Sequence, residues 1–116
     1  MDFRKQKPIY LQIADRLMEQ VLGGQLKTDD RMPSVRDVAA QMGVNPNTVV
    51  RTFDYLQQEE IIFNRRGVGY FISPGADEHV LALQRREFLD EELPYIRQRM
   101  KALGISINEL TLDDVV

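Results

Sequence analysis

The feature that constrains this chain most is a pair of helix boundaries that lie only three residues apart, at Gly43-Val44-Asn45. Gly43 predicts the end of one helix, because glycine readily takes the left-handed backbone that ends a helix. Asn45 and Pro46 predict the start of the next, since asparagine caps the free N–H groups of a first turn and proline has no N–H to leave unpaired there. Two helices joined by so short a turn predict a helix-turn-helix.

Two helices are expected before this turn, the second of which is the one that ends at Gly43. Ser34 can cap the second, and Asp37 puts a negative charge where a helix N-terminus favours it. The first opens at Pro8 and closes at Gly23-Gly24, and 27–32 follows as a polar turn. One face of the first helix carries the apolar residues Ile9, Ile13, Leu17 and Val21, and the expected buried stripe of the second comprises Val35, Val38, Ala39 and Met42.

The helix after the turn has two unlike faces. Residues spaced by three or four positions lie on the same face of a helix. The apolar face comprises Val49, Phe53 and Leu56. The opposite, polar flank comprises Asn47, Thr48, Arg51 and Tyr55.

Beyond the third helix the period changes from helical to β. The short β-prone runs 61–63 and 70–72 flank a tip that contains Arg65-Arg66-Gly67, and Pro74-Gly75 ends the unit. Three helices followed by a hairpin predict a winged helix. The expected fold class is therefore mainly α with a small β-hairpin (α+β): a winged helix-turn-helix domain at 1–74 and a helical dimerisation tail at 75–116.

The tail is expected to be helical from Ala76 to Leu103, with Gly104 as its stop. Its apolar residues are Val80, Leu81, Leu83, Phe88, Leu89, Leu93, Ile96, Met100 and Leu103. They are too many for so short a segment to bury internally, so we expect packing across a two-fold axis, chiefly through Leu81, Phe88, Leu89, Leu93, Ile96 and Met100. The alternative is that the tail folds back onto helix one of its own domain.

Pro94 interrupts the helical pattern of the tail. A proline inside a helix removes one hydrogen bond and clashes with the carbonyl four residues earlier. We therefore expect a kink or break near Asp90, with 95–103 forming a separate helix. Residues 108–112 are a candidate for a last short helix.

The polar positions of this fold suit double-stranded DNA. Side chains near the start of a helix in the major groove reach base edges, which predicts that role for Asn47, Thr48 and Arg51. A helix N-terminus attracts phosphate, as expected for Ser34 with Arg36. The wing tip at Arg65, Arg66 and Gly67 can reach a minor groove or its phosphates. Taken singly, Arg36 and the two wing arginines are also typical of solvated surface charge, and Asn45 of a simple cap.

The charge distribution is less basic than DNA binding usually demands. Residues 1–70 contain ten Lys/Arg and nine Asp/Glu, a net of +1, and residues 71–116 contain five and nine, a net of −4, which together give the net charge of −3. DNA affinity rises with the number of phosphates neutralised. We therefore expect modest non-specific binding and two copies of the protein on each site.

Other classes of function find little support. There is no Cys, no run of about 18 apolar residues that could span a membrane, and no apolar signal core at 1–5, so the sequence predicts a cytoplasmic protein. His79 is the only histidine, and one His with scattered carboxylates makes neither a metal site nor a catalytic triad. We expect no enzyme activity, no cofactor and no metal.

Four blocks in register carry a resemblance to a known family: Pro8-Ile9-Tyr10-Leu11-Gln12-Ile13-Ala14, Met32-Pro33-Ser34-Val35-Arg36-Asp37-Val38-Ala39, Val44-Asn45-Pro46-Asn47-Thr48-Val49 and Arg65-Arg66-Gly67-Val68-Gly69-Tyr70-Phe71. Over about residues 8–73 the chain resembles the DNA-binding domain of the GntR family, and its short tail is similar to that of the YtrA-type subfamily. The resemblance implies a homodimer on a palindromic operator, usually acting as a repressor. By position it implies DNA contacts at Arg36, Asn45, Asn47, Thr48 and Gly67; Arg51, Arg65 and Arg66 are added from geometry alone.

The chain departs from that family pattern at three places. Asp29 stands where glycine is usual in the turn before helix two, so an aspartate must make that turn. Glu60 stands where many relatives have glycine after helix three, so the sequence does not predict how that helix ends. Pro46 replaces a residue that could contact a base, so no operator sequence carries over.

Two alternatives to a simple DNA-binding regulator stay open. Winged helices also serve as protein–protein interaction modules, which the net acidity would suit. A small effector could bind at the dimer interface, although the tail is too small to enclose the usual ligand pocket of several hundred Å³. The sequence identifies no residues for such an effector.

Overall fold

A computed structural model describes residues 7–111, which divide into two compact units between Leu83 and Gln84. The elements of the first unit are α1 (Ile9–Leu22), α2 (Val35–Met42), α3 (Pro46–Gln58), β1 (Ile62–Arg65), β2 (Gly69–Ile72) and the greater part of α4 (Ala76–Glu87). The second unit holds the end of α4, a π-helical turn (Phe88–Glu92), α5 (Leu93–Leu103) and a 3₁₀ turn (Ile107–Glu109).

Helix α2 begins and ends, and α3 begins, where the local signals predict. Ser34 Oγ accepts a 3.1 Å hydrogen bond from the Asp37 N–H, and Asn45 Oδ1 accepts one of 2.8 Å from the Asn47 N–H. Gly43 ends α2 in the left-handed conformation, with φ of 66°. Each cap satisfies an N–H that the first turn of a helix leaves unpaired, and the predicted helix-turn-helix is confirmed.

The core of the first unit lies among the three helices and the hairpin. Phe53 of α3 is buried and meets Tyr70 of β2 edge to face, with ring centroids 5.0 Å apart. Burial of such a side chain contributes roughly 1.5–3 kcal/mol. The other buried residues of α3 are Val49, Thr52 and Leu56. One face of α3 is therefore held by the core, which leaves the opposite flank in solvent.

The hairpin is antiparallel, with Ile62 paired to Ile72 and Phe63 to Phe71. It gains a third extended segment that the sequence presented only as a polar turn. Arg31 forms a bridge with Phe71, and the Ile72 N–H donates a 2.9 Å hydrogen bond to the Asp30 carbonyl. The polar side chains of 27–32 predicted a turn. They gave no sign of this pairing, because its hydrogen bonds are made by the backbone.

Two residues other than glycine take a positive φ within residues 7–111: Asp29 at 69° and Glu60 at 62°. These are the two positions at which the resemblance to the GntR family implies a glycine that the chain lacks. The expectation for Asp29 is confirmed. At Glu60, the chain makes the left-handed exit after α3 without a glycine.

The start of α4 belongs to the core of the first unit, in which Ala76, Val80 and Leu83 are buried. The prediction that Val80 and Leu83 pack across a two-fold axis is therefore wrong, because their side chains are covered within their own unit. The neighbouring Leu81 is 51% exposed. The two compact units divide within α4, between Leu83 and Gln84.

The hydrogen-bond pattern of the tail helix changes around Asp90, as expected from Pro94, but residues 76–103 stay helical throughout, so 95–103 is not a separate helix. The chain widens into the π-helical turn at Phe88–Glu92, in which the Leu93 N–H donates to the Phe88 carbonyl, and α5 starts at Leu93. A π turn shifts the carbonyl pattern by one residue, which accommodates the missing N–H and the bulk of the proline ring. In place of the helix predicted at 108–112, the structure has a 3₁₀ turn at Ile107–Glu109. A capping box between Ser106 and Glu109 caps the start of this turn. Residue 112 lies outside the described residues.

Candidate nucleic-acid interface

The first turns of α3 form the centre of the candidate interface. Asn47 and Arg51 are exposed and Thr48 is half-buried, while Val49 on the opposite face is fully buried. Asn47 and Thr48 follow the cap at Asn45 directly, so both lie at the N-terminal end of the helix. Short polar side chains at this place are typical of residues that reach base edges from a helix in the major groove.

Arg51 is held by an aromatic ring that the sequence did not point to. Its guanidinium carbon lies 4.2 Å from the centroid of the Tyr10 ring, in the first turns of α1. A cation over an aromatic face is attracted by the ring quadrupole, worth about 0.5–1 kcal/mol at an exposed site. Arg51 is therefore placed on α1 rather than extended freely into solvent.

Tyr10 is itself fixed by two further residues of α3. The buried Thr52 hydroxyl lies 2.7 Å from the Tyr10 carbonyl oxygen and 3.2 Å from that of Thr48. The Tyr55 ring meets the Tyr10 ring edge to face at 6.4 Å. Three positions of α3 thus contact one residue of α1, and no local sequence pattern signals that convergence.

The start of α2 supplies a second group of polar residues. The hydroxyl of Ser34 is engaged in the cap, while Arg36 is exposed in the first turn. A helix N-terminus carries partial positive charge, and an adjacent arginine adds a full one. This arrangement suits an anion such as phosphate.

In the wing, the two predicted arginines differ in position. Arg65 ends β1, and its guanidinium lies 4.8 Å from the Phe71 ring centroid and 5.9 Å from that of Phe63. Arg66 is exposed in the turn itself. Gly67 follows with φ of 80°, a conformation that glycine takes without steric cost. Only Arg66 therefore lies at the wing tip, and Arg65 lies along the hairpin.

A third arginine, missed in the sequence, connects the wing to the segment before α2. Arg31 Nη2 donates a 2.7 Å hydrogen bond to the Val68 carbonyl. Its guanidinium passes so close to Gly69 that a Cβ there would lie 3.2 Å from Arg31 Nε. Gly69, the second glycine of the wing, is the one sequence signal that could have predicted that Arg31 passes so close to the backbone.

Comparison with known proteins places this geometry in a family. Residues 9–72, which contain α1–α3 and both strands, match the family described as bacterial regulatory proteins, gntR family. The chain belongs to the GntR family. GntR proteins are transcriptional regulators with a DNA-binding winged helix, so this protein is a DNA-binding regulator and not an enzyme.

GntR relatives of similar size match most of the chain. The HTH-type transcriptional regulator YhcF of Bacillus subtilis, itself uncharacterized, is 37% identical over 93% of this chain and 88% of its own length. The HTH-type transcriptional repressor YtrA of the same organism is 34% identical over 90% of this chain and 75% of its own length. The crystal structure of a GntR-family protein from Bacteroides thetaiotaomicron superposes with a TM-score of 0.74 at 44% identity, covering 88% of each chain.

Two other kinds of site are absent from the described residues. No helix in the part of the chain that the structure describes is long and apolar enough to cross a membrane. Across residues 7–111, no group of three or more His, Cys, Asp or Glu side chains is arranged to hold a metal ion.

Proposed function

We propose that this protein is a homodimeric repressor that binds a palindromic operator through α3, the start of α2 and the wing. The observation that carries the proposal is the two-faced α3, whose buried Val49, Phe53 and Leu56 leave Asn47, Thr48 and Arg51 on the opposite flank. That flank supplies the hydrogen-bonding groups that base edges require. The name of the relative YtrA, a transcriptional repressor, supports the direction of regulation.

The apolar surface of the second unit supports a homodimer. Within residues 84–111, which are all that the structure describes of this unit, no side chain is buried, and Phe88, Leu89 and Ile96 are each at least 40% exposed. An open groove of about 560 Å³ is lined mainly by apolar side chains, among them Leu93, Ile96 and Met100. A surface of this kind is usually covered by a partner.

A two-fold dimer also agrees with the modest charge of the DNA-binding part. Residues 1–70 carry a net charge of only +1, so a single copy neutralises few phosphates. Two copies double the number of contacts to one duplex. They also place two recognition helices about one DNA turn apart, which makes the preferred site a palindrome.

The role of each proposed residue follows from its position. Asn47, Thr48 and Arg51 contact base edges, with Asn45 as the cap that fixes where the helix starts. Arg36, with the helix start at Ser34, and Arg66 contact phosphates. Gly67 brings the wing backbone close to the duplex, and Arg65 lies along the hairpin beside it.

The test begins with selection of binding sites from duplexes that carry about 30 randomised base pairs, enough for two half-sites one helical turn apart. The selected duplex is expected to be palindromic. The double variant Arg36→Ala, Thr48→Ala should lose its gel shift while sedimentation still reports a dimer. Arg85→Ala, an exposed arginine of α4, is the matched control and should bind normally.

Salt dependence separates phosphate contacts from base contacts in the same assay. The logarithm of the binding constant should fall linearly with the logarithm of salt concentration, and Arg36→Ala should reduce that slope by about one unit for each protomer. Unchanged binding by the double variant would overturn the residue assignment. Failure of the selection to enrich any sequence at low salt would favour a protein–protein interaction module instead.

A further inference from the structure

We infer that Tyr10 is a specificity-determining positioning residue, which acts on DNA recognition by holding the Arg51 guanidinium over its ring. The inference rests on the proposed role of Arg51 in base contact. Tyr10 belongs to α1, outside the helix-turn-helix and outside the wing. It would therefore contribute to recognition without itself needing to touch a base.

The geometry restricts Arg51 to a small part of its range. An arginine at an exposed helix position has several rotatable bonds and loses that freedom when it binds. Here the guanidinium already lies 4.2 Å from the Tyr10 centroid. A guanidinium held over a ring through its carbon still presents N–H groups at its edge, and those groups would make the paired hydrogen bonds to guanine O6 and N7.

Both the backbone and the ring of Tyr10 contact α3. The Thr52 hydroxyl holds the Tyr10 carbonyl at 2.7 Å, and the Tyr55 ring packs edge to face on the Tyr10 ring at 6.4 Å. Thr52 and Tyr55 follow Arg51 by one and four positions on the same helix. Tyr10 is therefore held by the same helix that carries Arg51, so its position is fixed relative to Arg51.

The test compares sites selected by the unmodified protein, Tyr10→Leu, Tyr10→Phe and Arg51→Ala from the same randomised duplexes. Arg51→Ala should lose base preference at one position in each half-site. Tyr10→Leu should relax preference at that same position only, and Tyr10→Phe, which keeps the aromatic face, should retain it. On the duplex selected by the unmodified protein, Tyr10→Leu should weaken binding about tenfold, because Arg51, freed from the ring, must then be ordered on binding in both halves of the site.

A double-variant cycle decides whether Tyr10 acts through Arg51. In an Arg51→Ala background, Tyr10→Leu should weaken binding by less than about twofold. An equal loss in both backgrounds, or relaxed preference at every position, would overturn the inference in favour of a general packing role. If Arg51→Ala leaves the selected site unchanged, the proposed base contact fails first, and the two failures are thereby distinguished.

A measurement on the folded, unsubstituted protein covers the case in which Tyr10→Leu does not fold. The Nε–H resonance of Arg51, assigned with Arg51→Lys, should be shifted upfield by the Tyr10 ring in free protein and remain so on the selected duplex. A resonance at its ordinary position in both states would overturn the inference.

Discussion

Thr52 of α3 and Tyr10 of α1 are joined by a 2.7 Å hydrogen bond from the Thr52 hydroxyl to the Tyr10 carbonyl, across 42 positions of sequence. Thr52 is completely buried. A buried hydroxyl is costly unless it is hydrogen-bonded, and this bond ties the start of α1 to the recognition helix.

Replacement of that hydroxyl tests its contribution to stability. Thr52→Val keeps the shape of the side chain and removes the hydrogen bond, so we expect the free energy of unfolding to fall by about 1 kcal/mol. Urea denaturation followed by circular dichroism measures it. Thr28→Val, at an exposed threonine, should change stability by less than about 0.5 kcal/mol. A Thr52→Val protein as stable as the original would mean that added apolar burial compensates for the lost bond.

Glu60 offers a test of backbone strain. Its φ of 62° is unfavourable for a residue with a Cβ, by about 1–2 kcal/mol. Glu60→Gly relieves that strain but increases the freedom of the unfolded chain, so we expect a net gain of about 0.5–1 kcal/mol and a melting temperature higher by about 2–5 °C. Differential scanning calorimetry provides the measurement.

Glu60→Ala is the matched control for this change. It removes the same carboxylate, which lies 3.7 Å from His79 Nδ1 at an exposed position, but it keeps the strained backbone. We expect no stabilisation from alanine, since an exposed ion pair contributes little. Equal gains from glycine and alanine would show that the carboxylate, and not the backbone, limits stability.

The contact between Arg31 and the wing predicts a local effect on dynamics. Arg31→Ala removes the hydrogen bond to the Val68 carbonyl, so we expect faster amide hydrogen exchange in the wing, by about fivefold for a bond worth about 1 kcal/mol. The Val68 N–H, which donates to the Arg65 carbonyl, is the reporter. Arg16→Ala, at an exposed arginine of α1, should leave that rate unchanged. An unaltered rate in Arg31→Ala would mean that the hairpin alone holds the wing.

The proposed dimer predicts the response of α5 to a buried charge. Ile96 is 40% exposed in the single chain and lies in the apolar groove. Ile96→Glu would place a carboxylate in the interface, and we expect the dimer dissociation constant to rise by at least about 100-fold. Analytical ultracentrifugation measures the change. Gln98→Glu adds the same charge at an exposed position of the same helix and should leave the dimer intact, whereas an intact Ile96→Glu dimer would place the interface elsewhere.

Most local boundaries of this protein were readable from the sequence alone. Ser34 and Gly43 set both ends of α2, and Asn45 and Pro46 set the start of α3, because caps and helix stops act within one turn of the residue that makes them. The spacing of Val49, Phe53 and Leu56 determined which flank of α3 is exposed. Pro94 likewise marked the change of helix in the tail, since its ring acts on the residues just before it.

The tertiary structure alone decided how these pieces support one another. Tyr10 beneath Arg51, Arg31 against the wing and Val80 in the core of the first unit are contacts between elements far apart in sequence. A periodic pattern specifies which face of an element is apolar, but not which residue of another element will cover it or hold its polar neighbour. That pairing is determined only when the elements pack together, because it depends on their relative positions in space and leaves no trace in local composition.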